Sequence, residues 1–196
     1  MRIIIASKSP RRRELLGNMY ESFEIITEPT DETLPEGIHP REGVAHLSVR
    51  KGRAVLDRLE ADGEDAGDCL IISSDTLVEL GGVALGKPKG RDDALRMLKM
   101  LSSAQHNVHT GVAVHYHGRV LSGTASTAVY FREISESEAL EYIATGEPMD
   151  KAGAYAIQGI GGKFVVKTEG DYDTVVGLSM RLLGELIEKI TGEAEA

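Results

Sequence analysis

Apolar positions along the chain fall into short runs and helical stripes that alternate from end to end. Ile3-Ile4-Ile5 reads as a short buried strand. Ser9-Pro10 then supplies a helix start, serine at the cap and proline at the first helical position, for a helix running through Leu15 and Leu16. A strand over Phe23 to Thr27 leads into a Pro- and Gly-containing loop from Glu28 to Pro40. A long helix of about Arg41 to Ala61 follows, on which Val44, Leu47, Val55 and Leu59 lie among the apolar positions. After an acidic linker at Asp62 to Asp68, Cys69 to Ser73 forms a buried strand. The polar run Ser74-Asp75-Thr76 ends it before Leu77-Val78 resume the pattern, and Gly81-Gly82 marks a hairpin turn.

Downstream, Ala94, Leu95, Met97, Leu98 and Leu101 make a helical stripe, and β-rich segments at about Asn107 to His117 and Arg119 to Phe131 predict a hairpin turning at Gly118. Ser135 and Glu138 stand at capping-box spacing for a helix ending near Gly146. Strands around Ala154 to Ile157 and Phe164 to Lys167 precede a last helix with Leu183, Leu186, Ile187 and Ile190 on one face. Alternating strands and helices without repeats predict an α/β fold with a mixed sheet. Residues 1–191 are expected to form one domain and 192–196 a short tail.

Composition narrows the function. The 196 residues are 41% hydrophobic and 27% charged, enough for a sizeable core, and no apolar run reaches membrane-spanning length. Only four apolar residues separate Arg2 from Ser7 and Lys8, so a secretion leader is not expected and a cytoplasmic location is. The single cysteine, Cys69, lies in an apolar run and reads as a buried thiol. A net charge of -9, with 5% aromatics and no tryptophan, speaks against a nucleic-acid binder, which needs a basic face and stacking platforms.

Within this acidic chain Arg11, Arg12 and Arg13 crowd the start of the first helix, whose dipole repels cations. A bound polyphosphate removes the conflict, because helix amides and guanidinium forks then share one anion; a solvated basic patch is the alternative. Asp75 at the end of a buried strand suits a divalent cation held through carboxylates and substrate phosphates, or a turn cap. Lys51 and Lys87 are ordinary alone, although Gly86 and Pro88 hold Lys87 in a tight loop. Gln158 offers an amide to a nucleobase edge or to turn backbone. His115 and His117 share metal-compatible spacing but lack a third ligand, which favours an exposed hairpin end. Gly161-Gly162-Lys163 does not complete a P-loop.

Together the stretches Ala6-Ser7-x-Ser9-Pro10-Arg11-Arg12-x-Glu14-Leu15-Leu16, Ser74-Asp75-Thr76-x-Val78, Leu85-Gly86-Lys87-Pro88 and Glu147-Pro148-x-Asp150 through Gly159 resemble the Maf family of nucleoside triphosphate pyrophosphatases. Val175-Val176-Gly177-Leu178 closes the set. The resemblance implies a two-lobed α/β fold with a central cleft, like that of inosine triphosphatases. It also implies hydrolysis of a nucleotide, dTTP or UTP in this branch, to monophosphate and pyrophosphate with Mg²⁺ or Mn²⁺, and a homodimer. It makes Asp75 the proton acceptor, assigns specificity to Arg11, Thr76 and Gln158, and places Ser7, Arg12, Lys51 and Lys87 around the phosphates. A second acid, a metal ligand beside Asp75, falls on Asp31 or Glu32, with Glu32 taken for the site. Arg13 falls on a variable position and is expected to be solvated. Ser179 replaces a usual proline, and Ser102-Ser103 lacks the glycine that often follows the leucine-serine pair. A non-catalytic nucleotide-sensing regulator of cell division is the competing reading. A carboxylate beside phosphate argues against it.

Overall fold

Seven strands form one mixed sheet in the computed structural model, which describes residues 1–192. In chain order they are β1 (Arg2–Ile5), β2 (Glu24–Ile25), β3 (Cys69–Leu80), β4 (Val83–Leu85), β5 (Gln105–Tyr116), β6 (Arg119–Phe131) and β7 (Val165–Glu169). Spatial order is β2-β1-β3-β5-β6-β7, with β4 also on β3. β1 runs parallel to β2 and β3, and the remaining pairs are antiparallel. The helices are α1 (Pro10–Gly17), α2 (Pro40–Ala61), α3 (Arg91–Leu101), α4 (Glu136–Ala144), α5 (Tyr172–Val176) and α6 (Met180–Gly192). The mixed α/β class expected from sequence is the one observed. Gly192, assigned to the tail, still belongs to α6, and the rest of that tail lies outside the described residues.

Successive side chains of a strand point to opposite faces, and β3 shows it. Leu70 and Ile72 join a core with α1 and α6 through Leu16, Leu183 and Ile190, whereas Cys69 and Ile71 pack under α2 against Val55 and Leu59. A third core at the other end of the long strands joins Val78 and Val108 to Leu98 of α3 and Tyr142 of α4. Two packed halves therefore share β3 and β5. Each buried apolar side chain contributes roughly 1.5–3 kcal/mol.

The pairing of β3 opens the space between the halves. β1 pairs with Cys69 to Ile72, and β4 pairs with Val78 to Leu80. On that edge Ser73 to Leu77 has no strand partner among the described residues, and a cleft opens beside Asp75. The other edge of the same stretch is fully paired to β5, with Asp75 opposite Gly111. β3 is thus continuous through Ser74-Asp75-Thr76, contrary to the expected strand end, and the turn-cap reading of Asp75 falls with it.

Other expectations need correction. The strand expected at Phe23 to Thr27 shrinks to two residues. Ala154 to Ile157 is no strand: Gly153 and Ala154 adopt φ of 67° and 58°, left-handed values that break extension, and Ala152–Ala154 forms a 3₁₀ turn. His115 is buried against Gly52, while His117 is exposed in the β5–β6 turn at φ 48°, so the two do not share a site. Cys69 is buried and free, the capping box at Ser135 and Glu138 is formed, and Gly81-Gly82 makes the β3–β4 turn.

Candidate active site

β1 delivers the chain to the cleft through Ala6 and Ser7, and α1 begins three residues later with its free amides beside it. Ser9 caps α1 by position, but its side chain makes no capping bond; instead its own N–H donates to Ser7 Oγ at 3.2 Å. The cleft encloses about 850 Å³ and is lined by Ser7, Arg11, Arg12, Glu32, Lys51, Asp75, Thr76, Lys87 and Gln158. Every residue expected at the site is therefore brought together, from the β1–α1 segment, α1, the β2–α2 loop, α2, β3, the β4–α3 loop and the segment after α4. Asp31 is the exception among the candidate acids. Its carboxylate accepts from the Thr33 N–H and pairs with Arg50, away from the lining, so the geometry selects Glu32.

Asp75 is 8% exposed, and its carboxylate is bonded by Lys51 Nζ, which also reaches Glu32 Oε1 at 2.7 Å. One ammonium thus bridges two carboxylates. That bond holds the Glu32 carboxyl below its ordinary value against the opposing effect of burial. Gly111 makes the arrangement possible. A Cβ there would stand 2.1 Å from the Val44 carbonyl oxygen, so only glycine lets α2 settle onto β5 and carry Lys51 to Asp75.

Arg12 lines the cleft as expected, but its donors turn to the protein. Its Nε donates to the Gly177 carbonyl at 2.8 Å, one terminal nitrogen to the Ser74 carbonyl at 2.8 Å, and the other to Thr76 Oγ1 at 3.1 Å. Most of its five donors are spent tying α1 to β3 and to the turn after α5. Burial pushes its guanidinium below the ordinary value, and the charge of Asp75 opposes this. Thr76 is committed as well. Thr110 donates to the Thr174 carbonyl at 2.7 Å, so Thr76 must donate to Thr110 at 2.9 Å, and its hydroxyl is left with acceptor capacity only. Arg13, expected in solvent, is partly buried, and its Nε has no hydrogen-bond partner.

Gln158 is exposed on the cleft, and its amide makes no hydrogen bond among the described residues, which removes its alternative role as a turn brace. Two lining cations escaped the sequence reading. Lys8 occupies the variable position between Ser7 and Ser9, and Lys151, paired with Asp150, sits in the Asp150 to Gly159 run, whose signal was read for Gln158 alone. The lining carries six cations, Lys8, Arg11, Arg12, Lys51, Lys87 and Lys151, against four acids, Glu28, Glu32, Asp75 and Asp150. A chain of net charge -9 therefore presents a positively charged cleft.

Comparison with known proteins places the fold and the chain. A solved structure of the Staphylococcus aureus Ham1 protein superposes with a TM-score of 0.50 over 100% of this chain and 98% of that one, at 14% identity, a likeness of fold alone. A dTTP/UTP pyrophosphatase of Pelotomaculum thermopropionicum is 44% identical over 189 residues, 95% of each chain. One of Thermococcus kodakarensis is 44% identical over 186 residues, again 95% of each. The family model described as Maf-like protein matches residues 2–190, and with relatives this similar over nearly their full length the chain belongs to that family.

Proposed function

We propose that the protein hydrolyses nucleoside triphosphates, dTTP and UTP foremost, to the monophosphate and pyrophosphate. The observation that carries this reading is a buried carboxylate, Asp75, held by Lys51 in a cleft whose cations outnumber its acids. The relatives' name, dTTP/UTP pyrophosphatase, supports the choice of substrate.

Water attacks the α-phosphorus, its oxygen forms the new P–O bond, and the bond to the bridging oxygen breaks with its electron pair leaving on pyrophosphate. Asp75 takes the proton of the attacking water. Arg11 and Lys87, which carry no ion pair or hydrogen bond among the described residues, are free to meet the phosphates, while Arg12 holds Ser7 and Thr76 in place. Gln158 reads the uracil or thymine edge, beside Thr76 and Arg11.

Glu32 and Asp75, two hard oxygen donors already bridged by one cation, fit a divalent metal that arrives with the substrate; no cluster of three or more metal-binding side chains occurs among the described residues. When bound, Mg²⁺ or Mn²⁺ would neutralise phosphate charge. We further take the protein to act in the cytoplasm, where no helix long and apolar enough to cross a membrane is needed or found among the described residues. A homodimer belongs to the same reading, and nucleic acid does not.

The test is a panel of nucleoside triphosphates with Mg²⁺ or Mn²⁺, scored for pyrophosphate against orthophosphate. Pyrophosphate from dTTP and UTP is expected, with Asp75→Asn reducing kcat about a hundredfold or more. Orthophosphate release, or full activity in Asp75→Asn, overturns the proposal. A regulator that only senses nucleotide would bind the panel and release neither product.

A further inference from the structure

The segment that carries Gln158 pairs with no strand among the described residues, and three of its backbone donors end on two side chains instead. Tyr142 of α4 is 1% exposed, and its hydroxyl accepts from the Ala156 N–H at 3.2 Å and donates to Glu147 Oε1 at 2.7 Å. The same carboxylate takes the Gly161 N–H on Oε1 at 3.0 Å and the Ile160 N–H on Oε2 at 2.9 Å. Gln158 is therefore bracketed by three backbone donors gathered on one Tyr–Glu pair, two residues before it and two and three residues after it.

The glycines of the segment show how closely it is seated. A Cβ on Gly159 would lie 2.4 Å from Glu147 Oε2, and one on Gly161 would lie 2.5 Å from the Tyr142 hydroxyl. Burial alone would raise the Glu147 carboxyl, but the bonds from Tyr142, Gly161 and Ile160 outweigh it and hold the group below its ordinary value. An ionised acceptor with three donors is the strong form of such a contact. Neither Tyr142 nor Glu147 lines the cleft.

We propose that Tyr142 and Glu147 are positioning residues that fix the Gln158 segment at the orientation needed to discriminate the base, without touching the nucleotide. The proposal rests on the reading of Gln158 as the base contact. It implies that loosening the clamp damages the choice among bases more than the hydrolysis itself.

The experiment measures kcat/KM for UTP and CTP in the wild type, Tyr142→Phe, the near-isosteric Glu147→Gln, Gln158→Ala and the double variant Tyr142→Phe/Gln158→Ala, with circular dichroism melts to verify folding. Tyr142→Phe and Glu147→Gln should each lower the UTP/CTP ratio about tenfold or more, the loss falling on UTP. In the Gln158→Ala background Tyr142→Phe should change the ratio no further. Equal losses on UTP and CTP in both single variants, or an undiminished effect of Tyr142→Phe once Gln158 is gone, overturns the proposal. Failure of the underlying reading is separately visible: the wild type would show no preference for UTP, or Gln158→Ala would leave it intact, and the clamp would fall with it.

Discussion

Gly111→Ala tests whether the approach of α2 to the sheet is what builds the Lys51–Asp75 pair. The added methyl would meet the Val44 carbonyl oxygen at 2.1 Å and the Ala45 nitrogen at 2.6 Å, both helix backbone that cannot rotate aside. Restoring contact at 3.4 Å requires α2 to retreat by about 1.3 Å. A gap of that order forfeits a quarter to a half of the dispersion contacts across it. Val44, Leu47, Val55 and Leu59 are buried beneath α2, and at about 2 kcal/mol each they would lose roughly 2–4 kcal/mol in all. For a chain of this size that is a fall in Tm of roughly 5–15 °C. Lys51 would move with the helix, so kcat should fall even well below the new Tm. The assay is a thermal melt followed by circular dichroism, with dTTP hydrolysis measured at 20 °C. Gly123→Ala in β6 is the comparison: its methyl meets only the flexible end of Leu182, at 3.0 Å, and should cost about 1 kcal/mol or less. A Gly111→Ala protein melting within 2 °C of wild type would refute the reasoning.

Two other outcomes follow from single positions. Burial pushes His106, 1% exposed and bonded to the Tyr155 hydroxyl at 2.9 Å, down to about 4. The unfolded chain takes up this proton first, so the stability held above pH 6.5 should be lost as pH falls toward about 4, by roughly 3 kcal/mol. Urea unfolding of His106→Gln should show a shallower decline over that window than wild type, and equal declines would remove the assignment. Ser103 is exposed at φ 56°, where a side chain costs about 1–2 kcal/mol, partly offset by the greater freedom of an unfolded glycine. Ser103→Gly should raise the urea midpoint by the equivalent of about 0.5–1 kcal/mol, and a lowered midpoint would contradict it.

Hydrophobic periodicity located most elements because each helix or long strand buries a face whose spacing is written locally. It failed where distant partners decide the backbone. Ser73-Ser74-Asp75-Thr76 looks like a strand end because four polar residues in a row rarely cross a core. The strand continues because each has a partner elsewhere: Ser73 bonds the Ser48 carbonyl, Ser74 the Gly177 carbonyl, Asp75 is held by Lys51, and Thr76 meets Thr110. Ala154 to Ile157 fails in the opposite sense, its apolar composition masking a left-handed Ala154 that follows a left-handed Gly153, whose N–H bonds the Gly86 carbonyl. Most of the cleft lining was legible through motifs, Lys8 and Lys151 apart, while the division of labour inside it was not. Nothing in Arg11-Arg12 tells which guanidinium is spent on carbonyl oxygens.

That division also answers how a fold tolerates cations gathered at the N-terminus of α1. Crowded cations repel one another and the helix dipole, which lowers stability unless they are met within the protein. Arg12 is met by two carbonyl oxygens, Lys51 by Glu32 and Asp75, and Lys151 by Asp150. Arg11, Lys8 and Lys87 are left facing the cleft. The carboxylates thus have a structural role as well, holding lysines at the cleft lining. On the proposed reading, a triphosphate would compete with Glu32 and Asp75 for Lys51, which would couple its binding to the freeing of the Asp75 carboxylate. Replacing Glu32 with glutamine would then weaken the hold on Lys51 and make the free protein, more than the bound one, bear the unbalanced charge.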